Sequence, residues 1–224
     1  FGGAPVMAKE EEEAAEMAAN ADGLLINIGT LTAPEIPAMV KAGKAANDKG
    51  LPVVLDPVGV AATPFRRHAV EEILQVVQPT AIKGNAGELA NLVDISWEMK
   101  GVESRGSGDI SEVAKQVANR YNTLAVVTGA TDVVCDGKRM ETNETGHAIL
   151  SKVPGAGCLV GSILAACLTV EGMAERKALA AVEFYGLAAE YAANSVAVTG
   201  PGTFVPAFID ALSLETAQLR RTRP

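Results

Sequence analysis

The chain has little of what builds a Cys/His metal site or a stapled fold. It carries two histidines and three cysteines in 224 residues. Cys135, Cys158 and Cys167 make no Cys-x-x-Cys pair, which argues against a zinc site and against a disulfide framework. A reducing, cytoplasmic setting is the expectation. No run of about 20 apolar residues with membrane flanks occurs, so no transmembrane helix is expected. No secretory signal is visible either. Cationic residues are outnumbered, giving a net charge of −8 and a pI near 4.9. That balance argues against a nucleic-acid or anionic-membrane partner. It leaves local phosphate binding open, because backbone amides suffice for that. Two nucleotide signatures are also missing. There is no G-x-x-x-x-G-K-[ST], and no G-x-G-x-x-G follows the first apolar run, so neither a P-loop NTPase nor a Rossmann dehydrogenase is supported.

What is present is patterned. Four apolar runs, "GLLINIGT" (23–30), "LPVVLDPVG" (51–59), "PTAIKGNAGE" (79–88) and "TLAVVTGAT" (123–131), have the β-rich, uniformly apolar character of strands buried on both faces. Helical patterns separate them, over 8–20, 34–50 and 66–77, and a fourth runs through Tyr121 with Asp109 and Glu112 as a capping box. Strand–helix alternation predicts an α/β fold with a mostly parallel sheet. "VVCDGKRM" predicts a hairpin turning at Asp136-Gly137. Three helices are expected near 157–170, 174–197 and 203–213, the first buried nearly all round. The polar stretch 94–109 is expected as a solvated insertion.

Ligands in open α/β sheets bind beyond the carboxyl ends of the strands. Those ends carry Asn27 and Gly29, Asp56 and Gly59, Lys83, Asn85 and Glu88, and Thr128 and Gly129. Carboxylates suit Mg²⁺ with water and phosphate oxygens. A lysine and glycine-flanked amides suit phosphate. Together they point to phosphoryl transfer, where positioning and charge neutralisation dominate. Each residue has a plainer alternative. Asp56 before Pro57 can shape a turn, Asn85 and Glu88 can be an N-cap and its box partner, Lys83 can be a solvated strand end, and the "GAGC" turn at 155–158 can serve packing only.

Taken in order, "FGGAPVMAKEEEEAAEM", "LLINIGTL", "PVVLDPVGV", "AIKGNAGEL", "AVVTGATDVV", "GHAILSKVPGAGCLVGSILAA" and "GPGTFVPAFIDAL" resemble the hydroxyethylthiazole kinase family, from about residue 1 to 215. The family belongs to the ribokinase-like kinases, whose N-x-x-E motif is matched by Asn85 to Glu88. The resemblance implies a three-layer fold, a single kinase domain over 1–224 that lacks an N-terminal segment, and ATP-dependent phosphorylation of 5-(2-hydroxyethyl)-4-methylthiazole in thiamine salvage. It implies that Met7 and Gly155 meet the thiazole, that Lys83, Asn85 and Thr128 serve ATP, and that Asp56 and Glu88 serve the Mg²⁺ shell. Gly155, Gly157 and Cys158 then lie at the reacting hydroxyl and γ-phosphate. It further implies a homotrimer with active sites between subunits. Two departures stand out: lysine at 83 where the family usually has arginine, and Pro154 where it usually has threonine. Relatives with GAGD use the aspartate as a base. Here Gly155–Cys158 is read first as an anion hole of amides at a helix start, with Cys158 as a weak or dispensable base. A kinase of another small alcohol, such as a pyrimidine methanol, and an inactive thiazole-binding homologue remain the alternatives.

Overall fold

All four uniformly apolar runs fold as parallel strands: β1 (Leu24–Asn27), β2 (Val53–Asp56), β3 (Ala81–Asn85) and, after two short strands β4 (Met99–Lys100) and β5 (Glu103–Ser104), β6 (Leu124–Thr128). The computed structural model describes residues 1–97, 99–100, 103–104 and 109–220. The hairpin adds β7 (Asp132–Cys135) and β8 (Met140–Asn143), so the main sheet runs β1-β2-β3-β6-β7-β8, parallel up to β6 and antiparallel beyond it. The hairpin turns where Asp136-Gly137 predicted. Asp136 Oδ1 accepts from the amides of Lys138 (2.8 Å) and Arg139 (2.6 Å), and Gly137 takes a φ of +88°.

Strands β2, β3, β6 and β7 are buried on both faces, and side chains alternate between two cores with the period of two that a strand dictates. Val53 and Leu55 enter one core, whereas Val54 enters the other. Ala125 and Val127 likewise oppose Leu124 and Val126. The first core is closed by α2 (Glu35–Asp48), α3 (Pro64–Val76), α4 (Ala86–Leu92) and α5 (Ile110–Tyr121). The second is closed by α6 (Ala156–Leu168), α7 (Ala174–Ala193), α8 (Pro201–Ala211) and the short α9 (Thr216–Leu219). A further helix, α1 (Glu11–Ala19), leans on α2 through alanines, among them Ala14, Ala18, Ala38 and Ala42. The result is helix, sheet, helix.

The element ends follow local chemistry. Thr63 caps α3, whose first residue is Pro64, as an N-cap and a proline at N1 should. Asp109 caps α5 by accepting from Ser111 and Glu112 amides. The expected capping box is half made, because the Glu112 carboxylate binds Gln116 Nε2 at 2.7 Å. Of the stretch 94–109, expected as a solvated insertion, residues 98, 101–102 and 105–108 lie outside the described residues. Where the stretch is described, Ile95 and Trp97 pack against the first core, so that part is not simply solvated.

One contact fixes α7 beneath the end of β8. Thr145, just after β8, donates from Oγ1 to the Glu183 carbonyl at 3.1 Å. A Cβ on Gly186 would stand 2.1 Å from that hydroxyl and 2.6 Å from the Thr145 carbonyl carbon. Backbone cannot swing aside as a side-chain tip can. Gly186→Ala is therefore expected to cost about 2–3 kcal/mol, the upper part of the range for overpacking, read as a lower urea midpoint at unchanged m-value.

Candidate active site

The last residues of the four parallel strands are Asn27, Asp56, Asn85 and Thr128. They lie in register, Asn27 beside Asp56 and Asn85 beside Thr128. One edge of the sheet thus collects an amide, a carboxylate, a second amide and a hydroxyl.

Asp56 is the centre of the cluster. It is fully buried, and its Oδ2 accepts from Asn27 Nδ2 at 2.9 Å and from Lys83 Nζ at 3.2 Å. Its other oxygen, Oδ1, is buried without a hydrogen-bond partner. Burial is the main reason that its acidity is weakened, with a pKa pushed up to about 6. The charge and hydrogen bond of Lys83 oppose that rise, and the charge of Glu88 adds to it. Glu88 is therefore within electrostatic reach. Both its oxygens accept backbone amides, Oε1 from Gly59 at 2.8 Å and Oε2 from Asn85 at 2.9 Å. Asn85 Oδ1 in turn accepts from the Glu88 amide at 2.9 Å, which completes a capping box at the start of α4. The capping role read from N-x-x-E is thus real, and the same carboxylate also fastens the loop after β2.

Lys83 overturns one plain alternative, because it is 3% exposed and no solvated strand end. Period two explains its direction. Ala81 points into the second core, so Lys83 points the same way, toward α6. Its ammonium also donates to the Gly157 carbonyl at 2.7 Å.

Helix α6 supplies the roof. Its N-cap is Gly155 at φ +85°, a left-handed conformation that a side chain disfavours. Gly155 and Gly157 are exposed and Cys158 half-buried. The amides of Gly157 and Cys158 find no backbone acceptor among the described residues, as the first turn of a helix dictates. Unpaired amides at a helix start can accept an anion, with the helix dipole behind them. Glycine also lets the helix come close. A Cβ at Gly157 would meet Lys83 Nζ at 3.5 Å, and one at Gly161, four residues on, would meet Leu25 Cδ1 at 3.2 Å and Asp56 Oδ2 at 3.5 Å. Cys158 Sγ would touch a Cβ on Gly29 at 3.9 Å, so the thiol faces the loop after β1.

Eight expected residues, Asp56, Lys83, Asn85, Glu88, Thr128, Gly155, Gly157 and Cys158, therefore stand along one edge. Met7 stands apart, 79% exposed on the extended segment before α1. The Lys9–Glu35 ion pair at 3.0 Å brings that segment to the start of α2, which follows the carboxyl end of β1. Three further residues shape the site. Arg66 clasps the loops after β1 and β2, donating to Val58 O at 2.7 Å and Gly29 O at 2.9 Å. Asp132 Oδ1 accepts from the Gly129 amide at 3.0 Å and fixes the turn after Thr128. Tyr185 donates to the Ala156 carbonyl at 2.6 Å. In the sequence Gly161 lies within the helix expected to be buried nearly all round, and Tyr185 only within the helix expected near 174–197.

A divalent ion would find few side-chain ligands here. Among the described residues no group of three or more His, Cys, Asp or Glu side chains could hold a metal. Two carboxylates and one unpartnered buried oxygen do fit an ion that arrives with phosphate oxygens and water as its remaining ligands.

Comparison with known proteins narrows the chemistry. The model of the hydroxyethylthiazole kinase family matches residues 1–218. Hydroxyethylthiazole kinase 1 of Oceanobacillus iheyensis is 54% identical over 213 residues, which are 95% of this chain and 83% of that protein. A solved hydroxyethylthiazole kinase protein of Pyrococcus horikoshii OT3 superposes with a TM-score of 0.82 at 34% identity, covering 99% of this chain and 83% of its own. A ribokinase-like superfamily protein of Enterococcus faecalis V583 shares the fold alone, with a TM-score of 0.62 at 13% identity, over 90% of this chain and 67% of its own. The fold is ribokinase-like, and the chain belongs to the hydroxyethylthiazole kinase family.

Proposed function

We propose that the protein transfers the γ-phosphoryl group of ATP to the primary alcohol of 5-(2-hydroxyethyl)-4-methylthiazole, a step of thiamine salvage in the cytoplasm. The observation that carries this reading is the meeting of the α6 amides with the buried Asp56–Lys83 pair at the strand ends, in a chain of this family. Phosphoryl transfer asks for little covalent chemistry, and aimed donors with fixed charges supply most of the stabilisation.

Each residue has a part in this reading. The Gly157 and Cys158 amides receive the transferring group. Gly155 gives the turn its left-handed entry and leaves room for the alcohol. Cys158 assists proton removal and forms no covalent bond. Thr128 and Asn85, side by side in register, face the nucleotide, and Lys83 balances negative charge from beneath the turn. Asp56 through Oδ1 and Glu88 through its remaining lone pairs would hold Mg²⁺, which when bound neutralises charge on the phosphates. Met7 lines the thiazole pocket of a neighbouring subunit in a homotrimer. The exposed apolar start supports this last point, since Phe1, Val6 and Met7 are 49%, 68% and 79% exposed. The two cores share one sheet, which supports a single kinase domain over 1–224.

A panel of primary alcohols tests the substrate. The thiazole alcohol is expected to give the highest kcat/KM, well above a pyrimidine methanol and pyridoxal. A reversed order would transfer the proposal to another alcohol. Light scattering is expected to give three times the chain mass, and an active monomer would contradict the shared pocket.

A further inference from the structure

Two successive peptide units form the start of α6. The first joins Ala156 to Gly157, and its carbonyl accepts from the Tyr185 hydroxyl at 2.6 Å. The second joins Gly157 to Cys158, and its carbonyl accepts from Lys83 Nζ at 2.7 Å. A trans peptide is planar, so its C=O and N–H point in opposite directions and holding one aims the other. A donor on the carbonyl also polarises the unit and strengthens its N–H. The two N–H groups concerned are those of Gly157 and Cys158, the amides assigned above to the phosphoryl group.

We propose that Tyr185 is a positioning residue of this anion hole, aiming and strengthening the Gly157 amide as Lys83 does the Cys158 amide. The inference rests on the reading of the α6 start as the phosphoryl site. Tyr185 is built to hold still. It is 7% exposed, and its ring meets the Phe208 ring edge-on at 5.0 Å between centroids and 88°. Phe208 in turn stacks on Phe204 at 5.2 Å. The next residue, Gly186, is wedged under Thr145, so the backbone of α7 is anchored at the same level. Burial, with a smaller contribution from nearby Cys158, raises the pKa of the phenol far above its ordinary range. The hydroxyl therefore remains a donor across the neutral range. A ring needed only to fill the core would serve equally well as phenylalanine.

Tyr185→Phe keeps the ring and removes the grip. With one hydrogen bond to the anion hole lost, kcat is expected to fall roughly tenfold while KM for alcohol and ATP stays within about twofold. In ligand-free protein, the Gly157 amide proton and nitrogen resonances are expected to move upfield, with the Cys158 amide little changed. An unmoved Gly157 resonance overturns the grip. A moved resonance with kcat unchanged overturns its use in catalysis, as does a fall in melting temperature alone. The resonance needs no substrate. A wild-type protein that fails to phosphorylate the thiazole alcohol therefore overturns the function assigned above, while the Gly157 shift still decides whether Tyr185 sets that amide.

Discussion

Asp56→Asn is expected to lower kcat by about 100- to 1000-fold, the scale of removing one preorganised electrostatic group, while the protein still folds. Asparagine keeps the shape and one acceptor for Lys83. It removes the anionic oxygen that a divalent ion requires, and it leaves the Lys83 ammonium buried without a counter-charge. That last effect should lower stability by a few kcal/mol, since breaking a buried pair from one side costs about 3–5 kcal/mol. The pair is weak evidence for stability in itself, because apolar replacements of both partners are often neutral. Its position beneath the start of α6 is what argues for function. A pH profile separates the two. The folded-state pKa of Asp56, at about 6, lies above the ordinary carboxylate value of 3.8. The fold therefore binds the proton more tightly than the unfolded chain does. This group alone makes folding more favourable as pH falls from above 6 toward 4. Activity should move the opposite way, with an acid limb of kcat/KM near pH 6 that disappears from the residual activity of Asp56→Asn. A variant with wild-type turnover and wild-type dependence on Mg²⁺ would remove Asp56 from the mechanism.

Cys158 yields the second large effect, and its direction distinguishes two chemistries. The thiol sits in the first turn of α6, facing the loop at Gly29. If the amides of the turn stabilise the phosphoryl group and the side chain only assists proton removal, Cys158→Ala should keep measurable turnover. The expected loss is on the order of 10- to 100-fold, the lower range for one general base. Cys158→Asp should equal or exceed the parent, because it places a carboxylate, ionised at neutral pH, near the substrate hydroxyl. An acidic side chain is also favoured in the first turn of a helix. A nucleophilic cysteine forecasts the reverse: both variants dead, and a phosphorylated thiol in the wild type on mixing with ATP. Turnover of the two folded variants, with intact mass after ATP addition, decides the matter. If both are folded and inactive, the anion-hole account of the turn fails.

Much of this site was legible because the sequence marks where strands stop. Asn27, Asp56, Asn85 and Thr128 each follow an apolar run, and each proved to be the last residue of its strand. Asn85 and Glu88 were legible for a second reason, since a capping box is a local rule at fixed spacing. What stayed hidden depends on tertiary contact. Lys83 lies in a strand apolar on both faces, so no alternation in the sequence disclosed which helix layer it faces. Tyr185 is 29 positions from the carbonyl it holds. Nothing local marks that hydroxyl as different from a tyrosine that merely fills a core. Gly161 eases the approach of α6 to Asp56 and Leu25, a distance that exists only once the layers are stacked. The half-made box at Asp109 shows the converse. The local rule was right about the cap, but Gln116, one turn on, claimed the Glu112 carboxylate.

Transfer of a phosphoryl group from ATP to a thiazole alcohol at this end of the sheet would leave a direct chemical record. Phosphorus NMR of the purified protein with ATP, Mg²⁺ and 5-(2-hydroxyethyl)-4-methylthiazole tests it most directly. A phosphate monoester resonance is expected to grow in step with ADP, one for one, and to require the alcohol. Inorganic phosphate in place of the ester, or no loss of ATP from folded protein, would contradict it.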